Sequence, residues 1–144
     1  MGSQAKPGNE KKAKELAQKQ LEKEALEKKA RDAKDRVLLM TFSSEEELEL
    51  VKDNRMDVIE SVIRLIDKSI VTTQERLTRL ETNAQTLYLS KDLEVPGGLA
   101  QNIEHFTKKL DSRNAQRQLK QIEKDKINQQ YAEDLERYRF LTDL

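Results

Sequence analysis

A regular spacing of apolar residues runs through the middle of the chain. From Met56 onward, apolar or small residues recur at steps of three and four, at Ile59, Ile63, Ile66, Ile70, Thr73, Leu77, Leu80, Ala84 and Leu87. This is the heptad spacing of a coiled-coil helix, in which one stripe of side chains faces a partner helix. The pattern therefore predicts a long amphipathic helix over residues 45–90.

The same helix carries a second apolar stripe beside the first, formed by Val51, Val58, Val62 and Leu65. A single partner helix is too narrow to cover both stripes. Either the preceding helix folds back on the second stripe or a second copy of the chain packs there. We expect these four residues to form a self-association or partner face, which implies a homodimer or another coiled-coil partner.

Polar residues before this helix have the composition of a helix start. Residues 41–44 are Thr-Phe-Ser-Ser, and either Ser43 or Ser44 can cap the helix, with Glu46 or Glu47 completing a capping box three residues later. A phosphorylation or binding loop is the alternative interpretation, but capping explains every residue in the segment. We predict a cap or kink at residues 41–44.

A single internal break follows the central helix at residues 91–98. Pro96 disfavours helical geometry at Val95, and Gly97 and Gly98 permit the chain to reverse direction. A short loop between two long helices predicts an antiparallel hairpin, with residues 99–144 as the return helix.

The apolar pattern of the return helix is less regular than that of the central helix. It begins at Leu99, Ile103, Phe106 and Leu110, and then continues through Ala115, Leu119 and Ile122 to Ile127 and Tyr131. The steps of five residues predict a shifted register, in which Leu119 faces Ile70 and Ile122 faces Ile66.

Residues 10–40 are rich in Lys, Glu, Ala, Gln and Leu, all of which favour helices, but their apolar residues form only a narrow stripe. We expect a solvated charged helix here. Residues 1–9, which start with a Met-Gly-Ser resembling a cloning remnant, are expected to be a disordered tail. The predicted fold class is all-α: an elongated antiparallel helical hairpin, or coiled coil, preceded by a long charged helix.

Composition limits the chemistry that the chain can perform. It has 27 basic and 27 acidic residues and no cysteine, and His105 is its single histidine. A thiolate or multi-histidine metal site is therefore excluded, and no serine has an identifiable base beside it in the sequence. The longest wholly apolar run, residues 37–40, is far too short to span a membrane. We expect no catalytic residue, no cofactor, no metal and no small-molecule substrate.

A stripe of basic residues on the return helix is the most pointed local feature: Lys109, Arg113, Arg117, Lys120 and Lys124. Residues 108–126 contain seven basic and three acidic side chains, so an anionic polymer or an anionic membrane surface is an alternative partner, although nucleic acid is not favoured. The structural alternative is that these side chains flank the helix contact and pair with acids such as Glu75, Asp67 or Glu60.

Residues 35–56 read DRVLLMTFSSEEELELVKDNRM. This block resembles a segment of proteobacterial envelope proteins of unknown function, which share an arginine-led "LL-x-T-[FY]-x-S-x-E" stretch entering a long helix with an "R-D-x-R" near its start, here Lys52-Asp53-Asn54-Arg55. The resemblance covers about 25 residues closely. In that family the coiled coil follows a signal peptide and a small N-terminal β module, neither of which is in this chain.

The resemblance implies a periplasmic or envelope setting and brings no catalytic residue; a cytoplasmic setting is the alternative. Together with the helical pattern, it favours a non-enzymatic structural or protein-interaction coiled coil that self-associates through the second apolar stripe of the central helix.

Overall fold

The computed structural model describes residues 7–143 and consists of three α-helices over that range. Helix α1 spans Pro7–Thr41, α2 spans Glu45–Leu87 and α3 spans Gly97–Thr142, with one 3₁₀ turn at Leu89–Lys91 between α2 and α3. No β-strand occurs within residues 7–143. The all-α fold class predicted from the sequence is confirmed.

Helix α1 begins earlier than expected. Pro7 is its first residue, so residues 7–9 are helical rather than part of a tail; residues 1–6 lie outside the described range. Proline is favoured in the first turn of a helix because its missing N–H would have no intrahelical partner there. The run of Lys, Glu, Gln and Ala that follows has high helix propensity and sustains the helix to Thr41.

The break between α1 and α2 is the predicted cap. The Ser44 hydroxyl accepts a hydrogen bond from the backbone N–H of Glu47 at 3.1 Å, and the Glu47 carboxylate accepts one from the backbone N–H of Ser43 at 2.9 Å. The Ser43 hydroxyl also donates to that carboxylate. These contacts, led by the Ser43 hydroxyl, lower the pKa of Glu47. The first N–H groups of α2 are thereby satisfied, which explains why the helix restarts at Glu45.

The connection between α2 and α3 differs from the prediction in its position and in its turn residue. Helix α2 ends at Leu87, three residues before the expected end, and α3 already starts at Gly97. Neither Gly97 nor Gly98 adopts a positive φ, whereas Asp92 does, at 55°. The left-handed turn is therefore at Asp92, where a short polar side chain tolerates it, and the glycines are ordinary helical residues.

The described residues form two compact units. One unit contains residues 48–133 and holds the hairpin of α2 and α3. Contacts from Arg76 to Phe106, from Asp67 to Arg117 and from Arg55 to Tyr131 pair falling α2 numbers with rising α3 numbers, so the two helices are antiparallel. The hairpin predicted from the sequence is confirmed.

The other unit contains residues up to Glu47 together with Asp134–Leu144. Its buried apolar side chains are Leu38, Phe42 and Tyr138. The end of α1 is fixed to the end of α3 by a two-pronged contact, in which the Arg137 guanidinium donates to both carboxylate oxygens of Asp35 at 2.9 and 2.7 Å.

Candidate interaction surfaces

The stripe of α3 that faces α2 in the hairpin is not the one its apolar residues predicted. Leu119 and Ile122 are exposed, so they do not face Ile70 and Ile66, and that prediction was wrong. The less exposed positions continue the spacing of Leu99, Ile103, Phe106 and Leu110 without a shift, through Arg113, Arg117, Lys120, Lys124, Ile127 and Tyr131. The heptad is thus unbroken, and four of its positions are cationic.

Two of these cations form ion pairs with carboxylates of α2. Arg117 Nε lies 2.5 Å from Asp67 Oδ1, and Lys124 Nζ lies 3.2 Å from Glu60 Oε1. Asp67 and Glu60 are two of the three acids that the structural alternative for the basic stripe had named. The cations can occupy heptad positions because their aliphatic stems cover apolar surface while their charged ends reach the helix edge.

The other members of the basic stripe have neighbours of different kinds. Arg113 donates to the hydroxyl of Ser69 on α2 at 3.1 Å and to the amide oxygen of Gln116 on α3 at 2.9 Å. Lys120 pairs with Glu123 of its own helix at 3.0 Å. Lys109 is exposed and lies 5.8 Å from the Phe106 ring centroid, where the ring attracts its charge.

The second apolar stripe of α2 is largely uncovered. Val58 and Leu65 have 65% and 68% of their surfaces exposed, and Val51 and Val62 are half-buried. The heptad line beside them is occupied by the hairpin, since Ile59 and Ile63 are buried. Helix α2 is therefore apolar on two neighbouring sides, of which α3 covers one.

Helix α3 adds an apolar residue to the same side of the hairpin. Because Arg113 bonds both Ser69 and Gln116, the sides of α2 and α3 that carry these two residues are adjacent. Leu65 precedes Ser69 by one helical turn, and Leu119 follows Gln116 by one turn. Leu119, 66% exposed, thus lies on the side that carries Leu65. Sequence reasoning missed this residue because it placed Leu119 in the hairpin contact.

The contact between α1 and α3 is mainly electrostatic in origin. The hydrogen bonds and charge of Arg137 lower the pKa of Asp35, whose side chain is only 13% exposed, and the Asp35 carboxylate in turn raises the pKa of Arg137. A two-pronged Arg–carboxylate pair also fixes direction, because the planar guanidinium matches the carboxylate in one orientation. This pair therefore sets the register between the two helix ends.

The described residues offer little to chemistry. His105 is exposed and lies edge-on to the Phe106 ring, with 5.0 Å between ring centroids. Among residues 7–143, no group of three His, Asp or Glu side chains is arranged to hold a metal ion. None of the helices in this range has a stretch long and apolar enough to cross a membrane.

Comparison of the chain with protein-family models, with curated proteins and with solved structures gives no match.

Proposed function

We propose that this protein is a non-enzymatic helical interaction module that self-associates through the second apolar stripe of α2. We call this surface the valine–leucine face; it consists of Val51, Val58, Val62 and Leu65. The observation that carries the proposal is the exposure of Val58 and Leu65, on the side of α2 adjacent to the hairpin contact.

The size of the face suits a reversible dimer. Burying a Val or Leu side chain completely contributes about 1.5–3 kcal/mol, so the two-thirds exposed on Val58 and Leu65 represents about 1–2 kcal/mol each. Two copies meeting on this face bury four such side chains, besides the half-buried valines. Set against the several kcal/mol lost in association, this favours a dissociation constant of about micromolar order.

A matched pair of substitutions on α2 tests the proposal. Val58→Glu places a charge on the valine–leucine face, whereas Val71→Glu places the same charge at a residue that is 56% exposed and lies thirteen positions further along the helix, on a different side. We expect sedimentation equilibrium at tens of micromolar to show a dimer for the wild type and Val71→Glu, and a monomer for Val58→Glu. A monomeric wild type, or equal effects of the two substitutions, would remove the proposal.

Anion binding by the basic stripe is the less supported alternative. Arg117 and Lys124 already pair with Asp67 and Glu60, so a polyanion would have to displace carboxylates of α2 to reach them. The two functions respond oppositely to salt. Polyanion binding weakens steeply as salt rises, while association through apolar contacts persists. Binding to anionic liposomes at low salt, lost in Arg113→Glu with Arg117→Glu, is the result that would restore this alternative.

We further propose a periplasmic or envelope setting, with the cytoplasm as the alternative. This proposal rests on the resemblance of residues 35–56 to proteobacterial envelope proteins. Fractionation of cells that express the natural gene from its own start is the direct test, and recovery in the cytoplasmic fraction would overturn it.

A further inference from the structure

An apolar stripe on α1 lies outside everything described so far. Leu26, Ala30, Ala33, Val37 and Met40 follow one another at steps of four, three, four and three, which is the heptad spacing. All five are exposed, Leu26 by 68% and Met40 by 86%. We call these five residues the α1 stripe; it extends over about 21 Å of helix.

The internal contacts of α1 lie on the other side of the helix. Asp35, which binds Arg137, and the buried Leu38 are separated from Ala33 and Met40 by roughly half a turn around the helix axis. Helix α1 is thus held to α3 by one side and presents an uncovered heptad stripe on the other. A helix that needed only solubility on its free side would carry polar residues there.

The edges of the α1 stripe are predominantly basic. Lys29 and Arg36 border it on one edge, and Glu27 and Lys34 border it on the other. Glu27 is near a further cation, with Lys23 Nζ 3.9 Å from its carboxylate. Residues at these edge positions determine which helix a coiled-coil stripe accepts, since they face the edges of the partner.

These edge charges disfavour pairing of α1 with α1 of a second copy. A parallel pair would bring Lys29 of one helix against Lys34 of the other. An antiparallel pair would bring Lys29 against Arg36. Both arrangements place like charges together along the contact, which is unfavourable. The stripe therefore matches a helix whose edges are acidic.

We propose that the α1 stripe binds an amphipathic helix of another protein, with apolar residues at heptad spacing and Asp or Glu at the flanking edge positions. Ala30 and Ala33 leave room for large apolar side chains of that helix, while Leu26, Val37 and Met40 are the anchors on this chain. This proposal does not depend on self-association, because it uses a different helix and residues of the other unit.

Two synthetic helical peptides of about four heptads test the proposal directly. They share leucine and isoleucine at the heptad positions and differ only at the edges, where one carries Glu and the other Lys. Each is labelled and titrated with the full chain, and binding is followed by fluorescence anisotropy. We expect the Glu-edged peptide to bind at least about tenfold more tightly than the Lys-edged peptide, and the difference to shrink with added salt.

Substitutions in α1 identify the bound surface. Leu26→Glu should weaken binding of the Glu-edged peptide by about tenfold or more. Leu21→Glu is the matched control, because Leu21 is 62% exposed on the same helix but lies off the stripe. Leu and Glu have similar helix propensity, so both variants should retain their circular dichroism spectrum. In addition, Lys29→Glu with Lys34→Glu should reverse the preference in favour of the Lys-edged peptide, a gain that an unfolded variant would not show.

Several results would overturn the proposal. These are absence of binding at peptide concentrations of about 100 μM, equal binding of the two peptides, and equal loss in Leu21→Glu and Leu26→Glu. Binding of a single-stranded oligonucleotide that survives Leu26→Glu while the peptide does not bind would assign the basic edges to nucleic acid instead. A dimer of the full chain that Leu26→Glu dissociates, and Val58→Glu does not, would make the occupant a second copy.

Discussion

Replacing Lys120 by leucine tests the unbroken heptad of α3 most directly. Lys120 occupies a heptad position of the hairpin, yet its ammonium group pairs with Glu123 of its own helix rather than with a carboxylate of α2. Leucine at this position would face the apolar line of α2 and leave no carboxylate of that helix unpaired. We therefore expect Lys120→Leu to stabilise the hairpin.

The magnitude follows from the geometry of the side chain. The Lys120 side chain is 39% exposed, so leucine in its place would bury roughly 60% of its surface, worth about 1–2 kcal/mol. The aliphatic stem of Lys120 already supplies part of this burial, and loss of the pair with Glu123 costs about 0.2–0.5 kcal/mol. A net gain of about 0.5–1 kcal/mol in the free energy of unfolding remains, equivalent to a rise in Tm of about 2–3 °C.

Urea denaturation followed by circular dichroism measures this gain. Gln118→Leu is the control, because Gln118 lies two residues away at an exposed position outside the heptad line. We expect its effect to stay within about 0.5 kcal/mol. Measurements at several protein concentrations separate the stability of the chain from that of any dimer, since only the latter changes with concentration.

The register described for α3 would be refuted if Lys120→Leu were destabilising or gained no more than Gln118→Leu. In the shifted register predicted by the apolar residues alone, position 120 lies beside the contact rather than in it. Leucine there would then stay exposed and gain nothing. The sign and size of this one difference therefore distinguish the two arrangements of α3.

Three further predictions concern single contacts, each measured by denaturant unfolding. Ile63→Ala should destabilise the chain by about 2–5 kcal/mol because it leaves a cavity in the hairpin contact, whereas Leu119→Ala should stay within about 0.5 kcal/mol; similar losses would contradict the observed exposures. Ser44→Ala should cost about 1 kcal/mol through loss of the cap, and an unchanged midpoint would contradict the capping role. Arg137 lowers the pKa of Asp35 below its ordinary value of 3.8, so this carboxylate stabilises the fold above that pH and loses its contribution as the pH falls through the lower folded-state pKa. The stability difference between wild type and Asp35→Asn should therefore close between about pH 5 and pH 2, and a constant gap would refute the assignment.

Local sequence signals predicted most of the helical architecture. Pro96 and the Ser43-Ser44 pair act through the few residues around them, by removing helical geometry from Val95 and by satisfying the first N–H groups of α2. Such effects need no knowledge of distant residues. The finer position of the turn was not predicted, because Asp92 carries the left-handed conformation that two adjacent glycines would more readily adopt.

The candidate surfaces were predictable only in part. The valine–leucine face was visible as a second stripe on α2, because the first stripe already satisfied the heptad. The contribution of Leu119 was not visible, since its side of the hairpin depends on which residues of α3 face α2. The α1 stripe has a sequence signal in its four-and-three spacing, but its alanines resemble ordinary helix-forming residues until their exposure is known.

By itself the sequence determined that the chain forms long helices, where α2 begins and that α2 and α3 form a hairpin, because propensity, capping and heptad spacing are properties of neighbouring residues. Only the tertiary structure decided which side of α3 faces α2. The apolar residues of α3 favoured Leu119 and Ile122, but the observed contact contains Arg113, Arg117, Lys120 and Lys124. The physical reason is that Asp67 and Glu60, more than fifty residues away along the chain, accept two of these charges at the helix edge while the long stems remain in the contact.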